Sequence, residues 1–408
     1  MLQKIEVLSY LLNIDKPELL QSFINSMYLT SLKKREYVQA ALTLDVLAQI
    51  HRWDTTVFLP PCKSPAFPTQ TEFKRKEILY RLIARNFIKG GKVEEAVKRY
   101  KELLDAYNCY NFDLAGIADC HSQLARAYEL LEDVGRMDSS YFKITFIGFG
   151  FPDFIRAKEY IYEGLPFEQL SSISHRLSKL YPGSRIITDD DEASKLLVHT
   201  PFAKSLHVKL VSPMKDSIEN SDSSIISKQQ LALRNKTMNR FVSLKRLPGF
   251  NSIIDLWVEE TSYVTKSTFP TLMNKSEIMY TSVNLISPIR NAIKFLLEKT
   301  NDVTDLEDSI KQHLREGTAV EQISCSSVFH TLSRVLSSLV GTPSNGGIGK
   351  YRVFLNMESD EPGYQSNVDQ LQTILNDLVI QINKLLRLHQ VLVPDYLKPE
   401  HEALYSFS

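Results

Sequence analysis

Only four cysteines occur in 408 residues, at positions 62, 109, 120 and 325, and no two of them form a C-x-x-C pair. That spacing excludes a disulfide framework and a cysteine-based metal or redox motif, and makes a reducing, cytoplasmic setting the simplest expectation. Charge of one sign is lacking too: 48 Lys plus Arg oppose 48 Asp plus Glu, a formal charge of zero. Proteins that live on nucleic acid or anionic lipid usually carry a basic surplus; the whole chain has none, so no nucleic-acid partner is expected. Glycine and proline are sparse, at 15 and 17, which excludes a fibrous or disordered chain. No uncharged apolar run reaches the roughly 18 residues of a membrane span. The short apolar stretch 7–14 lies between Glu6 and Asp15 with no small-residue cleavage site, so a signal peptide is not expected either.

What the sequence does have is helical periodicity at both ends and a different texture between them. Ala40, Ala41, Leu44, Leu47, Ala48 and Ile50 recur at helical spacing over Tyr37–Trp53, and four prolines in Thr55–Pro68 then break the pattern. Helices are expected over Glu72–Ile88, ended by Gly90-Gly91, over Lys92–Tyr107 and over Asp113–Leu131, with small residues such as Ala96, Ala125 and Ala127 where neighbours must approach closely. No fixed period emerges, so this is an irregular α-helical array. From Tyr141 to Phe151 the chain turns β-branched and aromatic, with glycines suited to a turn. Tyr160–Tyr162, Ser205–Val211 and Met238–Leu244 are further strand candidates, and 214–227 reads as an exposed loop. Asp189-Asp190-Asp191-Glu192 reads as a helix start or loop cluster rather than a metal site, since no His or Cys accompanies it.

The last third returns to helix. One helix is expected over Ser276–Leu297, kinked or interrupted at Pro288, and another over Val328–Val340. Val368, Leu371, Leu375, Leu378, Ile382, Leu385, His389 and Leu392 then follow a 3-4 spacing. Such a seam needs a partner helix, and the core of an antiparallel bundle is preferred to an intermolecular coiled coil. The expected fold class is therefore mainly α with a smaller β-containing lobe.

Signs of bond chemistry are scarce. Nine histidines form no H-x-x-x-H pair, and G-x-S-x-G is missing. Cys120 and His121 are neighbours on a helix and point in different directions, so they make no nucleophile and base pair. Ser344–Tyr351 superficially suggests a phosphate-binding loop, but Ser344 stands where its first glycine belongs, Tyr351 where the magnesium-binding hydroxyl belongs, and a helix rather than a strand precedes it. Lys228, Arg234, Lys236, Arg240, Lys245 and Arg246 fall in a window without acidic residues. They form either a solvated edge or a docking surface for an acidic partner.

Many short stretches in fixed order carry a family resemblance: Tyr37-x2-Ala40-Ala41-x2-Leu44, Trp53, Arg75-Lys76-Glu77, Glu94-Glu95-Ala96, Tyr141-Phe142-Lys143, Gly148-Phe149-Gly150-Phe151-Pro152-Asp153-Phe154, Lys158, Ile161-Tyr162-Glu163-Gly164, Tyr181-Pro182, Trp257-Val258-Glu259-x-Thr261, Phe269-Pro270, Glu277, Ser287-Pro288 and Asn291-Ala292-Ile293. Together they resemble the catalytic DOCKER domain of the dedicator-of-cytokinesis (DOCK) proteins over nearly the whole chain. The resemblance implies a guanine-nucleotide exchange factor for a Rac-like, Rho-family small GTPase. It implies three lobes: a helical, homodimerising lobe over 1–140, a small two-sheet lobe over 141–270, and a helical bundle over 271–408, the last two gripping the GTPase.

The resemblance also implies a nucleotide-release loop near 341–349, comprising Ser344, Asn345, Gly346, Gly347 and Ile348. The family places a valine before the glycine-containing triplet and points it at the magnesium site; here Ser344 holds that position, and Ile348 is the apolar side chain that could replace the wedge if the loop is shifted. No cofactor of its own is implied, GDP, GTP and magnesium being held by the partner. An adaptor of the engulfment and cell motility type, and recruitment to membranes, would act through regions outside this chain. A catalytically weak, GTPase-binding dimeric scaffold is the competing reading.

Overall fold

The computed structural model describes residues 7–8, 10–11, 17–63, 66–133, 139–199, 202–214, 238–249, 252–315, 327–340, 347–357, 359, 362–393 and 398. The chain divides into two compact units, 1–243 with 262–282, and 244–261 with 283–408.

From Pro17 the first unit runs through α1 (Pro17–Lys33), α2 (Tyr37–Ile50), α3 (Glu72–Lys89), α4 (Val93–Tyr110) and α5 (Leu114–Asp133), each packed on the next. Ala40, Ala41, Leu44, Leu47 and Ala48 of α2 are buried at the predicted spacing. Ala96 and Ala127 are buried where helices approach, whereas Ala125 faces solvent. Thr71 caps α3 by accepting from the Lys74 N–H at 3.2 Å. Gly90 ends α3 where a Cβ would stand 2.6 Å from Val38 Cγ2, so only glycine lets the start of α2 come so near. The proline-rich stretch between α2 and α3 forms two short antiparallel ribbons, β1 (Phe58–Leu59) with β4 (Gln70–Thr71) and β2 (Cys62–Lys63) with β3 (Ala66–Phe67). Buried Arg75 donates to the Pro60 and Pro68 carbonyls at 2.8 and 3.2 Å and ties these ribbons to α3.

The texture change near Tyr141 is a change to sheet. β5 (Ser139–Ile147), β6 (Glu159–Pro166), β7 (Ser184–Ile187), β8 (Lys204–Pro213), β9 (Met238–Arg246), β10 (Val258–Phe269) and β11 (Lys275–Ile286) link in the order β5-β6-β11-β10-β9-β8-β7, and β5 also pairs with β8. β5 thus has antiparallel neighbours on both edges, Phe142 standing opposite Tyr162 and Leu210. Both of its faces are covered: Phe142, Ile144 and Phe146 pack with Ile173 and Leu177 of α6 (Leu170–Leu180), while Tyr141 packs with Val211, Phe241 and Phe269. A strand covered on both faces reads as a continuous apolar run. The acidic cluster starts α7 (Asp190–Val198), the Asp189 carboxylate accepting from the Asp191 N–H at 3.2 Å.

One expected element is corrected. Ser276–Leu297 is not a helix: β11 occupies Lys275–Ile286, and α8 begins at Pro288 and runs to Arg315. Tyr280, Thr281, Val283 and Ile286 suit a strand, and proline fits the first helical position because no intrahelical acceptor awaits its missing N–H.

In the second unit α8, α9 (Ser327–Leu339) and α10 (Tyr364–Leu392) enclose one core. Every seam residue from Val368 to Leu392 is buried, His389 included. The His389 ring stacks 5.1 Å from Phe329, and its Nε2 lies 3.0 Å from Ser333 Oγ. The partner that the seam needs is therefore in the same chain.

Candidate functional site

Of the expected release loop, Ser344, Asn345 and Gly346 lie outside the described residues. Its flanks are described. α9 ends at Leu339, and Leu339 and Val340 are buried in the bundle core. The chain re-enters at Gly347, buried with φ +51, and forms a 3-10 helix over Gly347–Asn356. Ile348 packs against the bundle core, half-buried. Tyr351 and Phe354 anchor the 3-10 helix: the Tyr351 ring lies 5.9 Å from Phe295 of α8, and the Tyr364 hydroxyl donates to the Phe354 carbonyl at 3.2 Å. Burial raises the Tyr351 phenol above its ordinary range, so it stays neutral. The described flanks of the expected loop, Val340 and Gly347, are both buried.

Two further constellations lie in the first unit, built from residues far apart in sequence. In one, Lys92 at the head of α4 donates to the buried Glu163 carboxylate of β6 at 2.6 Å and to Ser139 Oγ at 3.3 Å. Gln39 of α2 donates to the Asn274 side chain, and the Glu163 N–H bonds the Asn274 carbonyl at 2.7 Å. These residues wall a cleft of about 630 Å3 together with Tyr141 and Phe269. In the other, buried Lys275 of β11 donates to the Tyr162 hydroxyl at 3.1 Å and lies 4.7 Å from the Tyr160 ring. Burial lowers Lys275 to about 8 and raises Tyr160 to about 12. Neither has a local sequence signal, because their parts come from helices, turns and strands far apart in the chain. Among the described residues no cluster of His, Cys, Asp and Glu suits a metal ion.

No family model matches the chain. DOCK-like protein 1 of Saccharomyces cerevisiae is 37% identical over 406 residues, covering 98% of this chain and 21% of that protein. These residues form a DOCK-family domain. Dedicator of cytokinesis proteins 3 and 4 of Homo sapiens are each 22% identical, over 409 and 412 residues, covering 97% of this chain and 19% and 20% of those proteins. The chain thus spans about a fifth of the length of the curated relatives it matches.

The stretches behind the resemblance are spread over both units of the DOCK-family domain. Tyr141-Phe142-Lys143 lies in β5, Gly148–Phe154 in the turn after it, and Ile161-Tyr162-Glu163-Gly164 in β6. Trp257 directly precedes β10, and Asn291-Ala292-Ile293 lies in the second turn of α8. Among the acid-free basic window, Arg240, Lys245 and Arg246 lie on β9, while Lys228, Arg234 and Lys236 fall outside the described residues.

Proposed function

We propose that this DOCK-family domain accelerates GDP release from a Rac-like, Rho-family small GTPase, binding its nucleotide-free state more tightly than its loaded state. The observation that carries this reading is the collinear similarity to DOCK-like protein 1 over 98% of the chain. Exchange of this kind needs no acid, base or nucleophile. A partner shifts the loaded and empty populations only by its differential affinity, and moving a 1:99 population to 99:1 takes about 10⁴-fold.

In this reading 341–349 is the release loop, the helical lobe of 1–140 mediates homodimerisation, and the domain works in the cytoplasm. An adaptor, in the same reading, binds parts of the protein beyond these residues. The buried anchors at Val340 and Gly347 support such a loop, since a side chain displayed between fixed ends loses less of its position to chain motion.

Fluorescent GDP release from a panel of Rho-family GTPases tests the proposal. Catalytic amounts of the chain are expected to speed release; stoichiometric binding without acceleration would establish the scaffold reading instead. Ser344→Val is expected to raise the rate by restoring a branched apolar group. Ile348→Ala is read together with a melting curve, because Ile348 also packs on the bundle: an unchanged rate ends the idea that Ile348 is the wedge.

A further inference from the structure

One end of the sheet in the first unit displays large apolar side chains that are half or more exposed. β5 ends in the turn Gly148–Ala157, β8 begins beside it with Ile147 opposite Ser205, and β7 begins alongside β8 with Ser184 opposite Lys204. The same end therefore collects the turn after β5, the entry to β8 and the close of α6. Phe202 is 90% exposed, Leu180 62%, Phe154 54% and Phe149 50%.

This end has a built framework. Phe149 and Phe202 stand 5.8 Å apart, and the Arg156 guanidinium covers the Phe149 ring at 4.7 Å. Beneath them Phe151 is buried against Phe146 and Tyr181. Gly150 lets the turn lie against the β8 entry, since a Cβ there would stand 2.6 Å from Lys204 Cγ and 3.2 Å from the Phe202 carbonyl.

The charges at this end are not balanced. Its acids are engaged: Asp153 pairs with Arg156, and Glu192 with Arg185 at 2.7 Å. Lys179 and Lys204 have no acidic partner among the described residues. The free charge is positive, although the whole chain sums to zero.

We propose that this end of the sheet docks on an anionic lipid surface, inserting Phe149, Phe202 and Leu180 at headgroup depth. The exposed apolar groups come from three separate segments, Phe149 from the turn after β5, Phe202 from the entry to β8 and Leu180 from the close of α6. A fluid acyl boundary conforms to such points, whereas a protein partner would need a matching pocket for each. Unpaired lysines beside them match anionic headgroups. No described helix is long and apolar enough to cross a membrane, so the contact is peripheral.

The test is co-sedimentation of the 408-residue chain with phosphatidylserine–phosphatidylcholine vesicles and with phosphatidylcholine alone, with circular dichroism and melting to verify each variant's fold. Binding is expected on the anionic vesicles. F149A/F202A is expected to cut it at least tenfold, and K179E/K204E to remove the preference for phosphatidylserine. Single F202W is expected to blue-shift its emission on adding anionic vesicles. Absence of binding, or binding that F149A/F202A leaves intact, overturns the proposal. So does a slower GDP release by F149A/F202A from an unlipidated GTPase without vesicles, which would assign this end to a protein partner. None of the vesicle readouts depends on exchange activity, so the two proposals fail separately.

Discussion

Lys275 shows how far a single residue's chemistry depends on its surroundings. In sequence it is one lysine among many; folded, it is 9% exposed, between the Tyr160 and Tyr162 rings. Burial lowers it to about 8 from an ordinary 10.5. Between those values the unfolded chain holds the proton more tightly, so stability rises with pH across that window. The full difference corresponds to about 3 kcal/mol. The tyrosines raised by burial act in the opposite sense once unfolded tyrosine ionises, so comparison with Lys275→Met isolates the lysine. Urea unfolding at about pH 7.5 and 9.5 is expected to show wild type gaining ~2 kcal/mol on the variant; equal pH dependence would show that burial of Lys275 costs nothing. His389 is the contrasting case. Its place on an apolar seam points to a packed residue, and it is one, while its partners Phe329 and Ser333 lie some sixty residues earlier and have no local signal.

Elements were legible where the signal is local. The seam of α10 follows from spacing alone, since side chains three and four apart share a helix face. Leu378→Ala, at a fully buried position of that seam, is expected to cost 2–5 kcal/mol in urea unfolding; a loss below about 1 kcal/mol would show that the seam is not the core. The Asp189 cap of α7 was likewise readable from an acidic cluster at a helix start. Asp189→Ala is expected to cost about 1 kcal/mol, measured as a shift in the melting curve. Local pattern does not mark β10 or β11 as strands, and Ser276–Leu297 reads as helix. A strand's identity rests on partners elsewhere in the chain: Ser276 stands opposite Ile161, more than a hundred residues away. The alternation of Glu277–Ile286 is weak because beyond Ile278 the strand is exposed on both faces and needs no apolar side.

For the whole molecule, the zero charge is a sum of unlike parts: +1 over 1–140, +3 over 141–270 and −4 over 271–408. If the second and third of these regions grip a GTPase together, steering is of mixed sign. Association measured by stopped flow is then expected to slow several-fold from about 0.05 to 0.5 M NaCl, as the Debye length falls below 10 Å; a salt-independent rate would remove electrostatics from recognition. By itself the sequence determined the order of helix, sheet and helix, the bundle seam, the lack of a catalytic dyad pattern and the family, because periodicity, capping and ordered short motifs are properties of neighbouring residues. Only the tertiary structure decided that β5 pairs on both edges, that Lys275 sits among tyrosines, that Lys92 meets Glu163, and that Phe149 and Phe202 share one exposed end. Those contacts join positions tens to hundreds of residues apart, and only packing of the folded chain brings them together.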